Sequence, residues 1–320
     1  MNDSAKKSRR IMNWTPDELP SLEGKGFAIT GGNSGLGLEA AKILARKGAC
    51  VVITARSEAK AQGALDAIRA AVPSADVDFV LLDLTDPVSI EQAAAAIREK
   101  LPRLDALINN AGVMQPPLVR TDEGYELQMA TNHLGHFRLN SKLLDHLEAS
   151  GGRIVAVSSI AHKFGKIDLE DLMFERRSYD STVAYGQSKL ANLLYAKELD
   201  RRLKARGSEV VAIACHPGYA ATNLQTAGVG MDGGSRFFRG LYAVTNKLVA
   251  QSAEEGAYPL VLAAAEPDAK RGEYYGPTWF MQMRGPVGES FVAKQGRDEK
   301  TAAGLWEATE KLVGPFFDAA

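Results

Sequence analysis

Cysteine is almost missing from this chain: Cys50 and Cys215 are the two in 320 residues, each inside an apolar run. So few thiols exclude a disulfide framework, and two buried free thiols in a reducing compartment are expected. Charge of one sign is missing too. With 38 Lys and Arg against 39 Asp and Glu, the net charge of −1 offers no basic field to a nucleic acid. No apolar run approaches the ~20 residues of a membrane-spanning helix. The polar, basic start from Met1 to Arg10 leads into no apolar stretch, which argues against a secretory signal. A flexible tail over residues 1–20 and a cytoplasmic, soluble protein are expected. His133 and His136 are joined by no acid or cysteine cluster, so they read as packing or surface histidines and no metal site is expected.

What is present is alternation. Short apolar runs at 26–30, 50–54, 77–82, 106–109, 153–157 and 210–214 read as buried strands. Amphipathic stretches at 35–47, 57–71, 89–100, 125–149 and 185–205 read as helices. Apolar strands each followed by a helix predict an α/β, Rossmann-type doubly wound parallel sheet with both faces covered. No linker divides residues 21–320, which read as one domain with an irregular C-terminal substrate region. Residues 225–250, rich in Gly and aromatics, are expected to form a substrate loop.

After the first strand comes Thr30-Gly31-Gly32-Asn33-Ser34-Gly35-Leu36-Gly37, opening a helix. Glycines there let the backbone turn sharply against a pyrophosphate, and the helix N-terminus supplies N–H donors. The second strand ends in Thr54-Ala55-Arg56-Ser57, without the acid that would take a ribose 2′-hydroxyl. A guanidinium would instead pair with a 2′-phosphate, so NADP(H) is favoured and NAD(H) stays open. Asp83-Leu84 ends the third strand, where Asp83 either accepts from an adenine amino group or caps a turn.

Tyr185 and Lys189 stand four apart, on one face if the stretch is helical. A free phenol, with a pKa of about 10, is a poor base at neutral pH. A neighbouring ammonium favours the phenolate and lowers that value by roughly 1–3 units. Tyr185 could then protonate an alkoxide in reduction or take an alcohol proton in oxidation.

In their order along the chain, Thr30-Gly-x-x-x-Gly-x-Gly37, Asp83, Asn109-Asn110-Ala111-Gly112, Asn132, Ser159, Tyr185-x-x-x-Lys189 and Pro217-Gly218-x-x-x-Thr222 resemble the short-chain dehydrogenase/reductase family over about residues 20–225. The branch resembled includes retinol dehydrogenases and related carbonyl reductases. The resemblance implies an Asn132–Ser159–Tyr185–Lys189 tetrad, with Ser159 rather than Ser158 on the substrate oxygen and Asn132 holding a water beside Lys189. It implies that Asn110, Ala111 and Gly112 pass the cofactor ribose, that Pro217, Gly218 and Thr222 pass the nicotinamide, and that the chain forms a homodimer or homotetramer. The 26 positions from Ser159 to Tyr185 exceed the gap of the shortest members, and the insertion over 162–182 either lines the pocket or covers the surface. Met114, Tyr219, Trp279 and Phe280 favour an apolar carbonyl or alcohol substrate. Reduction of an activated C=C bond, or a non-catalytic dinucleotide-binding regulator of the same fold, are the alternatives.

Overall fold

The computed structural model describes residues 10–219 and 251–317; Thr222 and the expected loop at 225–250 lie outside the described residues. Eight strands form one sheet in the order β3-β2-β1-β4-β5-β6-β7-β8. They are β1 Gly26–Ile29, β2 Cys50–Ala55, β3 Val77–Leu81, β4 Ala106–Asn109, β5 Arg153–Val157, β6 Val211–Cys215, β7 Tyr274–Trp279 and β8 Arg284–Glu289. The first seven pair in parallel, and β8 returns antiparallel to β7. Strand order reverses between β1 and β4, so the connections leaving their carboxyl ends diverge and open a crevice there.

The helices are α1 Gly35–Arg46, α2 Glu58–Ala71, α3 Pro87–Lys100, the single turn α4 Leu127–Met129, α5 Gly135–Glu148, α6 Ser181–Ala205, α7 Ala253–Ala265 and α8 Glu299–Val313. Alternate residues of a parallel strand feed opposite cores. Phe27 and Ile29 pack with α1 and α7, whereas Ala28 packs with α3, α5 and α6. Caps sharpen the helix starts: Asp86 accepts from Val88 N ahead of Pro87, and Asp180 accepts from Thr182 N and Val183 N.

Three expectations need correction. The C-terminal part is more regular than the sequence pattern promised, because α7, β7, β8 and α8 all lie there. Of the expected tail, Trp14 is buried at 2% exposure, its indole N–H donates to Glu266, and Leu19 joins the core. Cys50 is half-buried rather than buried. Its thiol donates to Asp76 Oδ2 at 2.8 Å, and that carboxylate, with burial, raises it to about 11. The insertion over 162–182 packs Leu172 and Met173 against α6 and α8, and Arg120 donates to the carbonyls of Met173 and Phe174.

The β7–β8 connection places Phe280, Met281 and Gln282 consecutively at φ of 45°, 56° and 69°. Each such non-glycine residue costs roughly 1–2 kcal/mol. Gln282 secures the turn from within by donating to Ser290 Oγ and Phe291 O.

Four histidines are buried and held neutral. Burial lowers His133 and His216 to about 3 and His136 to about 4, and it lowers His162 as well. Unfolded, each binds a proton near 6.5, so stability is complete above that pH and is lost as pH falls toward 4. Burial raises the Glu126 carboxyl, which opposes the trend. Urea midpoints measured between pH 6.5 and 4.5 should fall as His133, His136 and His216 of the unfolded chain take up protons, by up to about 4 kcal/mol per pH unit. A flat profile would contradict this assignment.

Candidate active site

The glycine-rich turn leaves β1 and is braced from both neighbouring strands. Gly32 N donates to Thr54 O at 3.1 Å, and Gly31 N donates to Thr54 Oγ1 at 3.3 Å. Across the crevice, Asn110 Nδ2 donates to Thr30 O at 2.8 Å and to Gly31 O at 3.2 Å. The Asn110 amide is therefore committed to the shape of the turn. Glycine is required where the turn closes on itself. A Cβ on Gly37 would stand 2.6 Å from Asn110 Nδ2 and 2.7 Å from Gly31 O.

Ser34 is the N-cap residue of α1, yet its side chain makes no capping hydrogen bond. The first-turn N–H groups of α1 are thus left to an anion, as a pyrophosphate site requires. Asn33, Ser34, Gly35 and Leu36 form the rim of this opening. Arg56 follows β2, exposed, and makes no ion pair with any described residue. Asp83 Oδ1 accepts from Thr85 N and Thr85 Oγ1, which makes it a turn carboxylate, while Leu84 packs into the core. The side chain of Asn109, buried at the end of β4, has no hydrogen-bond partner among the described residues. A buried amide in that state fits a site completed by a ligand or water. These features together fit a dinucleotide.

On the other side of the crevice, α6 carries Tyr185 and Lys189 on one face, both buried. Lys189 Nζ lies 5.8 Å from the centre of the Tyr185 ring and donates to Val157 O at 3.2 Å. Burial pulls this ammonium down from 10.5 to about 8. Gly112 is packed against the same group, since a Cβ there would meet Asn132 Oδ1 at 2.9 Å and Lys189 Nζ at 3.5 Å.

Asn132 is fully buried in a helical segment widened to π geometry over Ala130–Leu134. Its Oδ1 accepts from Val113 N at 2.8 Å, and its Nδ2 donates to Val113 O and to Ser188 Oγ. Ser188 in turn donates to Tyr185 O at 2.9 Å. The Asn132 amide thus fastens the β4 connection to α6. The two serines after β5 separate cleanly. Ser158 is buried and donates to Lys189 O at 2.7 Å. Ser159 is half-buried, its Oγ accepting, among the described residues, a 3.2 Å bond from Ala161 N. Its hydroxyl proton is not committed to any described acceptor.

Thr30 and His136 were legible in the sequence as motif start and packing histidine, but their link was not. Thr30 Oγ1 accepts from Asn110 N and Ala111 N, both at 3.0 Å, and lies 2.8 Å from His136 Nε2. His136 Nδ1 faces Asn132 O at 3.0 Å, so the tautomer with the proton on Nδ1 satisfies both contacts, and Nε2 accepts from Thr30. The four-residue spacing of Asn132 and His136 put them on one helix face and was the available signal. His216 is structural: Nδ1 accepts from Gly218 N, and Nε2 pairs with Ser290. Pro217 and Gly218 lie beside the β7–β8 connection, where a Cβ on Gly218 would meet Met283 O at 2.5 Å.

Comparison with known proteins agrees with this geometry. Residues 25–229 match the family model described as short chain dehydrogenase. The chain is 40% identical over 298 residues to human retinol dehydrogenase 13, covering 92% of this chain and 86% of that protein. It is 38% identical over 310 residues to mouse polyprenol dehydrogenase, covering 94% and 88%. The crystal structure of an uncharacterized protein from Mycobacterium paratuberculosis superposes with a TM-score of 0.79 at 37% identity, covering 96% of this chain and 99% of that one. The chain belongs to the short-chain dehydrogenase family, an oxidoreductase built for a nicotinamide dinucleotide and the alcohol/carbonyl couple.

Proposed function

We propose that the protein is an NADP(H)-dependent oxidoreductase that interconverts a lipophilic alcohol and its carbonyl compound, with Tyr185 as general acid/base. The observation that carries this reading is the Lys189 ammonium, buried one helical turn from Tyr185. A charge that costs this much to bury, with no carboxylate partner among the described residues, is what a phenolate-stabilising role requires. The cofactor preference rests on Arg56, a guanidinium without an ion pair at the end of β2. The lipophilic substrate is supported by the relatives, named for retinol and polyprenol.

When bound, the dinucleotide supplies or accepts the hydride. In reduction, Tyr185 gives its phenolic proton to the substrate oxygen, and Ser159 donates a hydrogen bond to that oxygen as charge develops on it. Lys189 stabilises the phenolate left behind. In oxidation, the phenolate takes the hydroxyl proton. Asn132 positions the pair by holding Val113 and Ser188. The Ser34–Gly37 helix start holds the pyrophosphate, and Arg56 pairs with the 2′-phosphate.

Tyr185→Phe should lower kcat with NADPH and a long-chain aldehyde by roughly 10²–10⁴-fold while leaving NADPH binding, read by calorimetry, nearly unchanged. Undiminished turnover would sink the acid/base role. Arg56→Asp should weaken NADPH binding by about 10–100-fold with little loss for NADH, since a charged hydrogen bond is replaced by repulsion. Equal loss for both cofactors would assign Arg56 a merely structural part.

Lys189→Met separates function from stability. Folded, Lys189 titrates at about 8 rather than 10.5. Below pH 8 the full penalty of burying the charge is present, roughly 3 kcal/mol. Between 8 and 10.5 the unfolded chain holds a proton that the folded one has released, so wild-type stability rises with pH. Lys189→Met should therefore be inactive yet more stable than wild type at pH 7, by up to about 3 kcal/mol, with the advantage shrinking at pH 10. Urea denaturation at both values reads this, and a wild type more stable at pH 7 would refute it.

A further inference from the structure

His162 opens the insertion over 162–182, three residues after Ser159, and it is fully buried. The chain leaves β5 through Ser158 and Ser159 and folds into a short 3-10 turn over Ile160–Lys163. Ser159 O closes that turn by accepting from His162 N at 3.1 Å. The same carbonyl also accepts from the His162 ring, through Nδ1 at 2.7 Å. Across the ring, Nε2 lies 3.3 Å from Ala293 N, a donor, so Nε2 accepts and the ring proton sits on Nδ1. Gln295 Nε2 donates to His162 O at 2.9 Å. The stretch between β8 and α8 thus grips His162 by both its ring and its carbonyl.

Aromatic packing holds the ring in its plane. His162 meets Tyr274 edge-on, with centres 5.3 Å apart and planes at 83°, and His216 stacks on the same phenol at 5.0 Å and 28°. The Tyr274 hydroxyl lies 3.3 Å from His162 Nδ1 and 3.5 Å from Ser159 O. Beyond His162 the chain runs directly onto α6. A Cβ on Gly165 would stand 2.2 Å from Gly186 O, and a Cβ on Gly186 would stand 2.7 Å from the Phe164 ring. Gly186 is the residue after Tyr185. Residues 159–165 therefore reach from the serine to the helical turn that carries the phenol, with His162 in the middle of the span.

We infer that His162 is a positioning residue for the reaction, its Nδ1–H bond to Ser159 O setting where the Ser159 hydroxyl stands relative to Tyr185. This rests on the reading of Ser159 as a donor to the substrate oxygen. The backbone N–H alone would leave the turn able to rock about Ser159, since one bond fixes a distance and not an orientation. A second donor from the ring, itself anchored on Ala293, removes that freedom. The need for such a brace is physical. Hydroxyls from Ser159 and Tyr185 must converge on one substrate oxygen, and a misplacement of ~1 Å costs about 10²-fold in rate. A histidine that only filled the core would have no use for a bond to Ser159.

Two substitutions separate the two bonds of the ring. In His162→Asn an amide N–H stands where Nδ1–H stood and keeps Ser159 O, while the bond from Ala293 N is lost. In His162→Gln the longer side chain reaches Ala293 N and gives up Ser159 O. With NADPH and decanal, His162→Gln should lower kcat by roughly 10–100-fold at unchanged KM for NADPH, and His162→Asn should recover to within about threefold of wild type. Urea midpoints should fall in both variants. In a Ser159→Ala background, His162→Gln should lower kcat by less than about twofold more, because the group it positions is gone. A histidine that merely supports the fold would lower kcat alike in the Asn and Gln variants and alike in both backgrounds, and either result would overturn the inference. Full activity in His162→Gln beside an impaired Ser159→Ala would overturn it while leaving the catalytic reading in place. Undiminished turnover in Ser159→Ala would instead remove that reading and the inference with it. Heteronuclear NMR of the histidine rings in the full chain without cofactor gives a readout apart from turnover. The His162 signal, assigned by its loss in His162→Gln, should show the proton on Nδ1, and a proton on Nε2 would overturn the inference.

Discussion

One hydroxyl holds the two halves of the site at a fixed distance. Thr30 ends β1, and its Oγ1 gathers the N–H groups of Asn110 and Ala111 from the end of β4 while giving its proton to His136. His136 then grips the carbonyl of Asn132, in the π-widened segment before α5. The nucleotide turn, the β4 connection and the helix that supports Lys189 are thereby referenced to a single atom. Each bond is worth only about 1 kcal/mol net. Their value is positional, because buried polar groups that satisfy one another completely leave one arrangement. A burial-lowered His136 suits this use, since a protonated ring could no longer accept from Thr30.

The same economy of position explains why a buried ammonium is tolerated. Lys189 Nζ donates to Val157 O, and Asn192 Nδ2 donates to that carbonyl as well. Among the described residues no carboxylate pairs with it, and neighbouring Cys215 is itself pushed up by burial. A carboxylate partner would relieve the lysine and also neutralise the field it exerts on Tyr185. Leaving the charge uncompensated keeps that field directed at the phenol. Gly112 completes the arrangement by approaching Asn132 more closely than a side chain would allow, with Lys189 beside it.

Much of this was readable in the sequence because it is local. Strands β1 to β6 are short apolar runs, and the glycine turn and the Tyr185–Lys189 spacing carry their geometry within a few residues. What escaped depends on contacts between distant segments. Strands β7 and β8 contain Gly276, Pro277, Gly285, Pro286 and Gly288, which break any strand pattern, and they form because β6 and Trp14 offer pairing edges. The helix expected over 125–149 is interrupted at Ala130–Leu134, where the extra residue per turn is held by Asn132 reaching Val113, a contact invisible to periodicity. Asp83 and Asn110 sat at the right strand ends, but the structure commits Asp83 Oδ1 and Asn110 Nδ2 to the protein's own backbone and turns.

Left-handed backbone separates the two edges of the sheet by purpose. At the amino edge, the turns that lead into β2, β5, β6 and β7 reach positive φ at Gly48, Gly151, Gly207 and Gly272, where the conformation is nearly free of strain. At the carboxyl edge, the connections leaving β4, β5 and β7 reach it at Gln115, Phe174, Phe280, Met281 and Gln282. Among the described residues, five of the six non-glycine residues with positive φ thus lie on one side of the molecule, and Asn13 is the exception. Glycine would have relieved each of them, but glycine carries no side chain. Strain gathered mostly on one edge means that the side chains there are kept at a cost in backbone strain.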